Sequence, residues 1–140
     1  MGAIPLGAEL WLPVADVLYS QHDCGGSFRN GRSLLSTMHE IRDGTLVPMN
    51  HAKFSLQVYL IANQGGYVSL DNRRLYCMKY EGVYWCRCIL VGTCVSHWWG
   101  IVGSFMDWRS ARKFMQRSCP EGRPDIKLRP RGQAEEERLL

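Results

Sequence analysis

Four polar side chains stand together at Asp71, Asn72, Arg73 and Arg74, between GYVSL and LYCMKY, two runs patterned for burial. Two adjacent guanidiniums are costly to hide and superfluous in a solvent turn. Either the four form a solvated corner, or they hold an anion. Apolar alternation up to Leu70 and helix-like spacing from Leu75 put the quartet at a strand-to-helix junction. There the unpaired N–H groups of a helix start and the positive end of its dipole favour negative charge. Guanidiniums fork onto phosphate oxygens at such a place. The structural alternative has Asp71 or Asn72 capping the helix, Asp71 pairing with Arg74, and Arg73 pairing with a carboxylate elsewhere.

A second group sits in the loop SQHDCGGSFRNGRS, which holds His22, Asp23, Cys24, Arg29 and Arg32. A His22/Cys24 nucleophile pair is not favoured, because residues so near in sequence rarely point at each other. Gly25-Gly26 is not a P-loop, since no Gly-Lys-Ser/Thr follows. Glu40 and Asp43 flank Arg42 on a solvent-facing helix end and do not form a metal pair. His51 and His97 are single histidines, read as structural. The six cysteines lack any C-x-x-C spacing. Cys86 and Cys88 share one strand face, and a metal site joining them to His97 ranks below buried structural thiols. Trp98, Trp99, Trp108 and Phe105 are read as an aromatic core or a protein interface ahead of a base-stacking surface.

Charge adds direction. The formal net charge is +4, and Arg109–Arg131 carries eight Lys/Arg against Glu121 and Asp125, whereas residues 1–70 carry four against five acids. A basic C-terminal third, with Arg109, Arg112, Lys113, Arg117, Lys127, Arg129 and Arg131, suits an anionic partner or a protein surface of opposite sign. Apolar residues make up 46% and charged residues 21% of the 140, which is ordinary for a globular domain. The longest apolar stretch, Ile89–Phe105, is broken by glycines, Ser96 and His97, so no membrane partner is expected. The opening MGAIPLGAELWLP has no basic n-region, and Leu6 stands where myristoylation asks for serine or threonine. The expected setting is an intracellular, reducing compartment, cytoplasmic or nuclear.

The elements that must position these residues can be read in turn. Leu10–Leu18 is an extended lead-in, with Pro13 opposing a central strand. Ser33 caps a helix through LLSTMHEIR that ends at Gly44. FSLQVYLIAN and GYVSL form a hairpin across NQGG. The four-residue box opens a helix that ends at Gly82, and VYWCRCILVGT is a buried strand. SFMDWRSARKFMQRS is an amphipathic helix, with Phe105, Trp108, Ala111/Arg112 and Met115 expected on its apolar side. A short last strand falls at Asp125–Leu128. The order is β–loop–α–β–β–α–β–α–β, a compact mixed α+β (α/β) single domain with a small mixed sheet flanked by helices. Residues 1–9 read as an N-terminal extension, 10–131 as the domain and 132–140 as a mixed-charge tail.

A strand, a turn with two adjacent arginines and a helix begun by that turn, preceded by SFRNGRSL, SLQVYL and GYVSL, resemble the ParB/sulfiredoxin-like domain. The resemblance covers Leu10–Arg87. In ParB-type proteins the box is glycine–glutamate–arginine–arginine, and in sulfiredoxins glycine–glycine–cysteine–histidine–arginine. Here it is Asp71-Asn72-Arg73-Arg74-Leu75, a variant similar to an offshoot of the group. The resemblance implies that Arg73 and Arg74 are phosphate ligands, with Asp71 and Asn72 completing the box and Arg29 and Arg32 facing the same cleft. It implies a nucleoside triphosphate with magnesium as the cofactor. Asp71 replaces the flexible glycine, and Asn72 occupies the glutamate or cysteine position, which removes a sulfiredoxin-type nucleophile.

The function expected from these residues is binding of a phosphate-bearing ligand, nucleotide or nucleic acid, at Asp71–Arg74. Any chemistry would be phosphoryl transfer or phosphodiester hydrolysis, for which no general base or metal ligand set is identified. Two rivals stand beside it. One is a non-catalytic adaptor in a larger assembly, using the basic third and the tryptophans as an interface. The other is RNA binding through Arg109–Arg131 without the box.

Overall fold

The computed structural model describes residues 4–129. Arg131 and the tail at 132–140 lie outside them. Eight strands and three α-helices follow in order: β1 Glu9–Pro13, β2 Val17–Tyr19, β3 Asp23–Cys24, α1 Leu34–Arg42, β4 Leu56–Ile61, β5 Gly66–Ser69, α2 Asn72–Tyr80, β6 Trp85–His97, β7 Gly100–Phe105, α3 Trp108–Met115 and β8 Lys127–Leu128. The fold is a compact mixed α+β domain. Among the described residues no helix is long and apolar enough to cross a membrane.

The main sheet runs β1-β6-β4-β5-β2, with β7 also on β6. β1 pairs antiparallel with Trp85–Ile89 and β7 with Gly92–His97, so the two share one edge of the 13-residue β6. β4 lies parallel along the other edge. The sequence places one extended element at Leu10–Leu18. In the structure a 3₁₀ turn at Val14–Asp16 divides it, so that β1 and β2 end on opposite sides of the sheet. Pro13 closes β1 at a sheet edge, where its missing N–H breaks no ladder. β3 and β8 form a separate parallel pair.

One extra residue decides which face each side chain takes. Val58 pairs with Leu90 but Tyr59 pairs with Gly92, leaving Val91 as a bulge in β6. A one-residue offset reverses the side-chain alternation. Before the bulge, Cys86, Cys88 and Leu90 face Leu56 and Val58 in a core covered by Leu75 and Met78 of α2. After it, Cys94 joins Tyr59, Ile61 and Val68 in a core on the opposite face, packed by Phe105 and Phe114. Leu34 and Met38 then seat α1 on α2 through Cys77. All six cysteines are free and buried, and His97 lies at the far end of β6 from Cys86 and Cys88.

The helix signals at Ser33, Gly44 and Gly82 are realised. Ser33 accepts the Ser36 N–H at 3.1 Å, and both glycines take positive φ beyond their helices. Two expectations fail. Trp108 and Met115 are exposed, and α3 instead turns Ser110 and Phe114 inward, where the Phe114 ring packs on those of Tyr59 and Phe105. The tryptophans form no aromatic core. Trp98 and Trp99 are the two-residue tip of the β6–β7 hairpin, Trp98 is 97% exposed, and Trp99 stacks on His97. β7 was not anticipated, since GIVGSF offers only one short apolar pair among small residues.

Candidate functional site

The start of α2 is built by contacts from three strands. Leu70 donates to Gln57 O at 2.8 Å and Asp71 N to Ser69 Oγ at 2.9 Å, which turns the chain sharply out of β5. Buried Asn72 accepts from Ser20 N at 2.9 Å and donates to Ser20 Oγ at 3.0 Å and Gln21 Oε1 at 3.2 Å. Ser20 Oγ in turn donates to Ser69 O at 2.6 Å. The Asn72 amide is therefore committed to holding the box in place. Asp71 occupies the N-cap position but does not cap with its side chain. Its carboxylate accepts the Gln57 N–H at 2.6 Å and lies 3.9 Å from both Arg74 Nη1 and Lys113 Nζ. With the cap unused, the N–H groups of Asn72, Arg73 and Arg74 have no acceptor among the described residues.

These N–H groups border a cleft of about 630 Å³. Asp71–Arg74 form one wall, and Arg29 and Arg32 in the turn before α1 form another. Lys53 and His51 enter from the connection before β4, and Lys113 and Arg117 from α3 and the turn beyond it. Seven Lys/Arg thus line a volume whose one lining carboxylate is Asp71. The box and the loop arginines named from sequence share this cleft. Lys113 and Arg117, read as part of an outer basic surface, point into it instead. Arg109, Arg112 and Lys127 are exposed and do not line it, and Arg129 is exposed with Asp23 3.8 Å away.

The seven cations are not equivalent. Arg32 is ion-paired with Glu40. Arg74 donates to Ser55 O at 3.2 Å and faces Asp71, and Lys113 donates to Gln57 Oε1 at 3.0 Å. Arg117 donates to Leu70 O at 2.9 Å, yet its Nε is buried without a partner. Burial pushes its guanidinium downward from the usual arginine range; Asp71 and Tyr59 oppose this, and Arg73 and Arg29 add to it. Arg73 has no carboxylate in ion-pair range among the described residues, makes no side-chain hydrogen bond, and also has a buried, unpartnered Nε. Arg73, Arg117 and Arg29 therefore form a cationic group that makes no ion pair among the described residues, with Asp71 the carboxylate that acts on Arg117. Among the described residues, the alternative in which Arg73 pairs with a distant carboxylate is not met.

Sequence reasoning missed Lys53, His51 and Phe28 as lining residues. Two consecutive 3₁₀ turns, at Pro48–Asn50 and Ala52–Phe54, bring the first two to the cleft, with His51 edge-on to Phe54. Only Pro48 marks these turns in the sequence. No cluster of three or more His, Cys, Asp or Glu able to hold a metal ion occurs among the described residues.

In comparisons with known proteins, no family model, no curated protein and no solved structure matches this chain.

Proposed function

We propose that the cleft at the start of α2 binds a phosphate-bearing ligand, a nucleotide or a nucleic acid. The observation that carries this reading is Arg73, which lines the cleft with Arg117 and Arg29 at an uncapped helix start, its Nε buried without a partner and no carboxylate in ion-pair range among the described residues. Partly buried like charges repel, and an unpartnered buried donor costs about 1–3 kcal/mol. A bound phosphate would relieve both costs, accepting from the guanidiniums and from the Asn72–Arg74 N–H groups. The resemblance of the Asp71–Arg74 box to the ParB/sulfiredoxin-like phosphate box supports the same assignment. Within the box the roles divide: Asn72 and Arg74 hold its shape, and Arg73 meets the anion.

The reading is one of binding. Asp71, the carboxylate at the site, is engaged by Gln57, Arg74 and Lys113, which leaves it poorly placed to take a proton. Calorimetric titration with CTP, ATP and a short single-stranded RNA, with and without magnesium, tests the proposal. Binding in the micromolar range that Arg73→Ala abolishes supports it. Absence of all binding, or binding indifferent to Arg73→Ala, refutes it.

The adaptor reading draws on the β6–β7 hairpin, whose tip exposes Trp98 and Trp99 beside half-exposed Val95 and Val102. An apolar protrusion of this kind suits a protein interface. Sedimentation of the wild type against Trp98→Ser/Trp99→Ser tests it: concentration-dependent association in the wild type alone supports the adaptor.

A further inference from the structure

The positive charge does not stop at the cleft. Gly25 lies between β3 and the turn carrying Arg29, outside the residues that line the cleft. A β-carbon on Gly25 would stand 3.5 Å from Arg73 Nη2 and 3.3 Å from Arg129 Nη2. Arg129 follows β8, and its backbone N–H donates to Cys24 O at 2.8 Å, so its position is fixed by the β3–β8 pair. Two guanidiniums thus converge on the space beside Gly25, where the missing side chain leaves backbone open to approach. Their effects meet again on buried Cys24: burial raises its thiol, and Arg73 and then Arg129 pull it down. The carboxylate near Arg129 is Asp23, 3.8 Å away, with both side chains about half exposed.

From Arg129 the positive charge continues through Arg73 into the cleft, whose lining Arg73 shares with Arg117 and Arg29, both Arg73 and Arg29 acting on Arg117. A single phosphate group would engage the inner members and leave Arg129 unused. Resting on the phosphate reading above, we infer that the ligand is a single-stranded nucleic acid whose successive phosphates run from the Gly25 seat, between Arg129 and Arg73, into the cleft. Phe28 and His51, which line the cleft, bring rings on which the bases of such a strand could stack. A mononucleotide leaves the outer seat empty.

The test is fluorescence anisotropy of the full chain with labelled octauridylate and its octadeoxythymidylate counterpart, with CTP and ATP as unlabelled competitors, at several salt concentrations. Four phosphate contacts to a single strand give a log–log salt slope of about −2.8, or about fifty-fold weaker binding between 50 and 200 mM salt. Arg129→Ala, which keeps the backbone bond to Cys24, lowers that slope by about 0.7 and leaves the competitors' affinity unchanged. Arg73→Ala removes strand and mononucleotide alike. A preference for uridylate over thymidylate, or the reverse, assigns the strand type. If CTP or ATP binds as tightly as either oligomer and Arg129→Ala leaves the slope alone, the strand assignment is wrong and the phosphate site stands. If neither oligomer nor nucleotide binds, the phosphate reading itself is overturned.

Discussion

Lys113 on α3 holds its ammonium 3.9 Å from the carboxylate of Asp71 and donates to Gln57 Oε1 at 3.0 Å, while the Gln57 N–H donates to that same carboxylate at 2.6 Å. The three residues close a ring that fastens α3, on one face of the sheet, to the start of α2, on the other. Asp71 is the hub. Its side chain is only 14% exposed, so its hydrogen bond to Gln57 is a charge-assisted one in a shielded place. Asp71→Ala is expected to cost about 2–3 kcal/mol in urea unfolding, because it orphans the Gln57 N–H and removes the counter-charge of Arg74 and Lys113. Asp71→Asn keeps an acceptor for Gln57, costs less, and tightens phosphate binding by leaving the cations unopposed. An Asn variant that binds phosphate more weakly than wild type would contradict this account.

Arg73→Ala is expected to separate binding from stability. The side chain contributes a buried Nε without a partner and repulsion toward Arg117. Its removal should leave the thermal midpoint unchanged or raise it while phosphate binding is lost. A midpoint drop equivalent to more than about 1 kcal/mol would show that Arg73 makes a net favourable native contact.

Gly92→Ala tests the second core. Gly92 pairs with Phe105 across β6 and β7, and a β-carbon would run into the Phe105 ring. That ring cannot retreat, being packed at 4.9 Å from the Phe114 ring and 6.0 Å from that of Tyr59. The overpacking should cost about 1–3 kcal/mol. Chemical denaturation measures it directly, and a loss below about 0.5 kcal/mol would mean the pair can slide apart.

The start of α3 should loosen in acid. Asp107 accepts the Ser110 N–H and Oγ–H, both at 2.8 Å, and these bonds hold its carboxyl below the usual carboxylate range. A carboxyl with a depressed folded value stabilises fully above its unfolded value and loses that contribution as pH falls through the folded one. Amide exchange at Ser110 should therefore accelerate as pH drops below the ordinary aspartate value, after correction for intrinsic rates. In Asp107→Asn, which still accepts the bond, the same acceleration should be absent.

The thiols should be silent in the native protein. Burial pushes Cys77 up to about 12 and Cys94 and Cys119 up to about 11. Only thiolate reacts, and only where reagent can reach it. At neutral pH, alkylation followed by mass spectrometry should find the six cysteines unmodified until denaturant is added. Rapid native labelling at Cys24 would show that the Arg73–Arg129 seat opens onto it.

Much of this architecture is legible in the residues. Ser33 and Gly44 bracket α1, NQGG turns the β4–β5 hairpin, and the polar quartet after Leu70 opens α2, because caps and turns depend on one or two local side chains. The site was legible as a box and as two loop arginines, and these share one cleft. What sequence could not supply came from long-range geometry. The rotation of α3 is set by the Tyr59 and Phe105 rings it packs on, so its sequence alone points to Trp108 and Met115 where the partly buried Phe114 is the ring turned inward. The bulge at Val91 is invisible in an unbroken apolar run, yet it sets which face every later residue of β6 takes. Arg73 and Arg74 are indistinguishable as neighbours in the chain, and only the Ser55 carbonyl and Asp71 divide their roles.

The pairing of β1 with Trp85–Ile89 carries a consequence for synthesis of the chain. β1 is made well before its partner, which is the start of β6, and β4 waits for that same strand as its parallel neighbour. At about 5–20 residues per second, the N-terminal strand spends on the order of ten seconds without a ladder to join. Pairings so distant in sequence also slow the final closure. During that interval Leu10 and Leu12, later packed against the core, stand open to solvent. β1 is thus a segment open to a chaperone until β6 has been made.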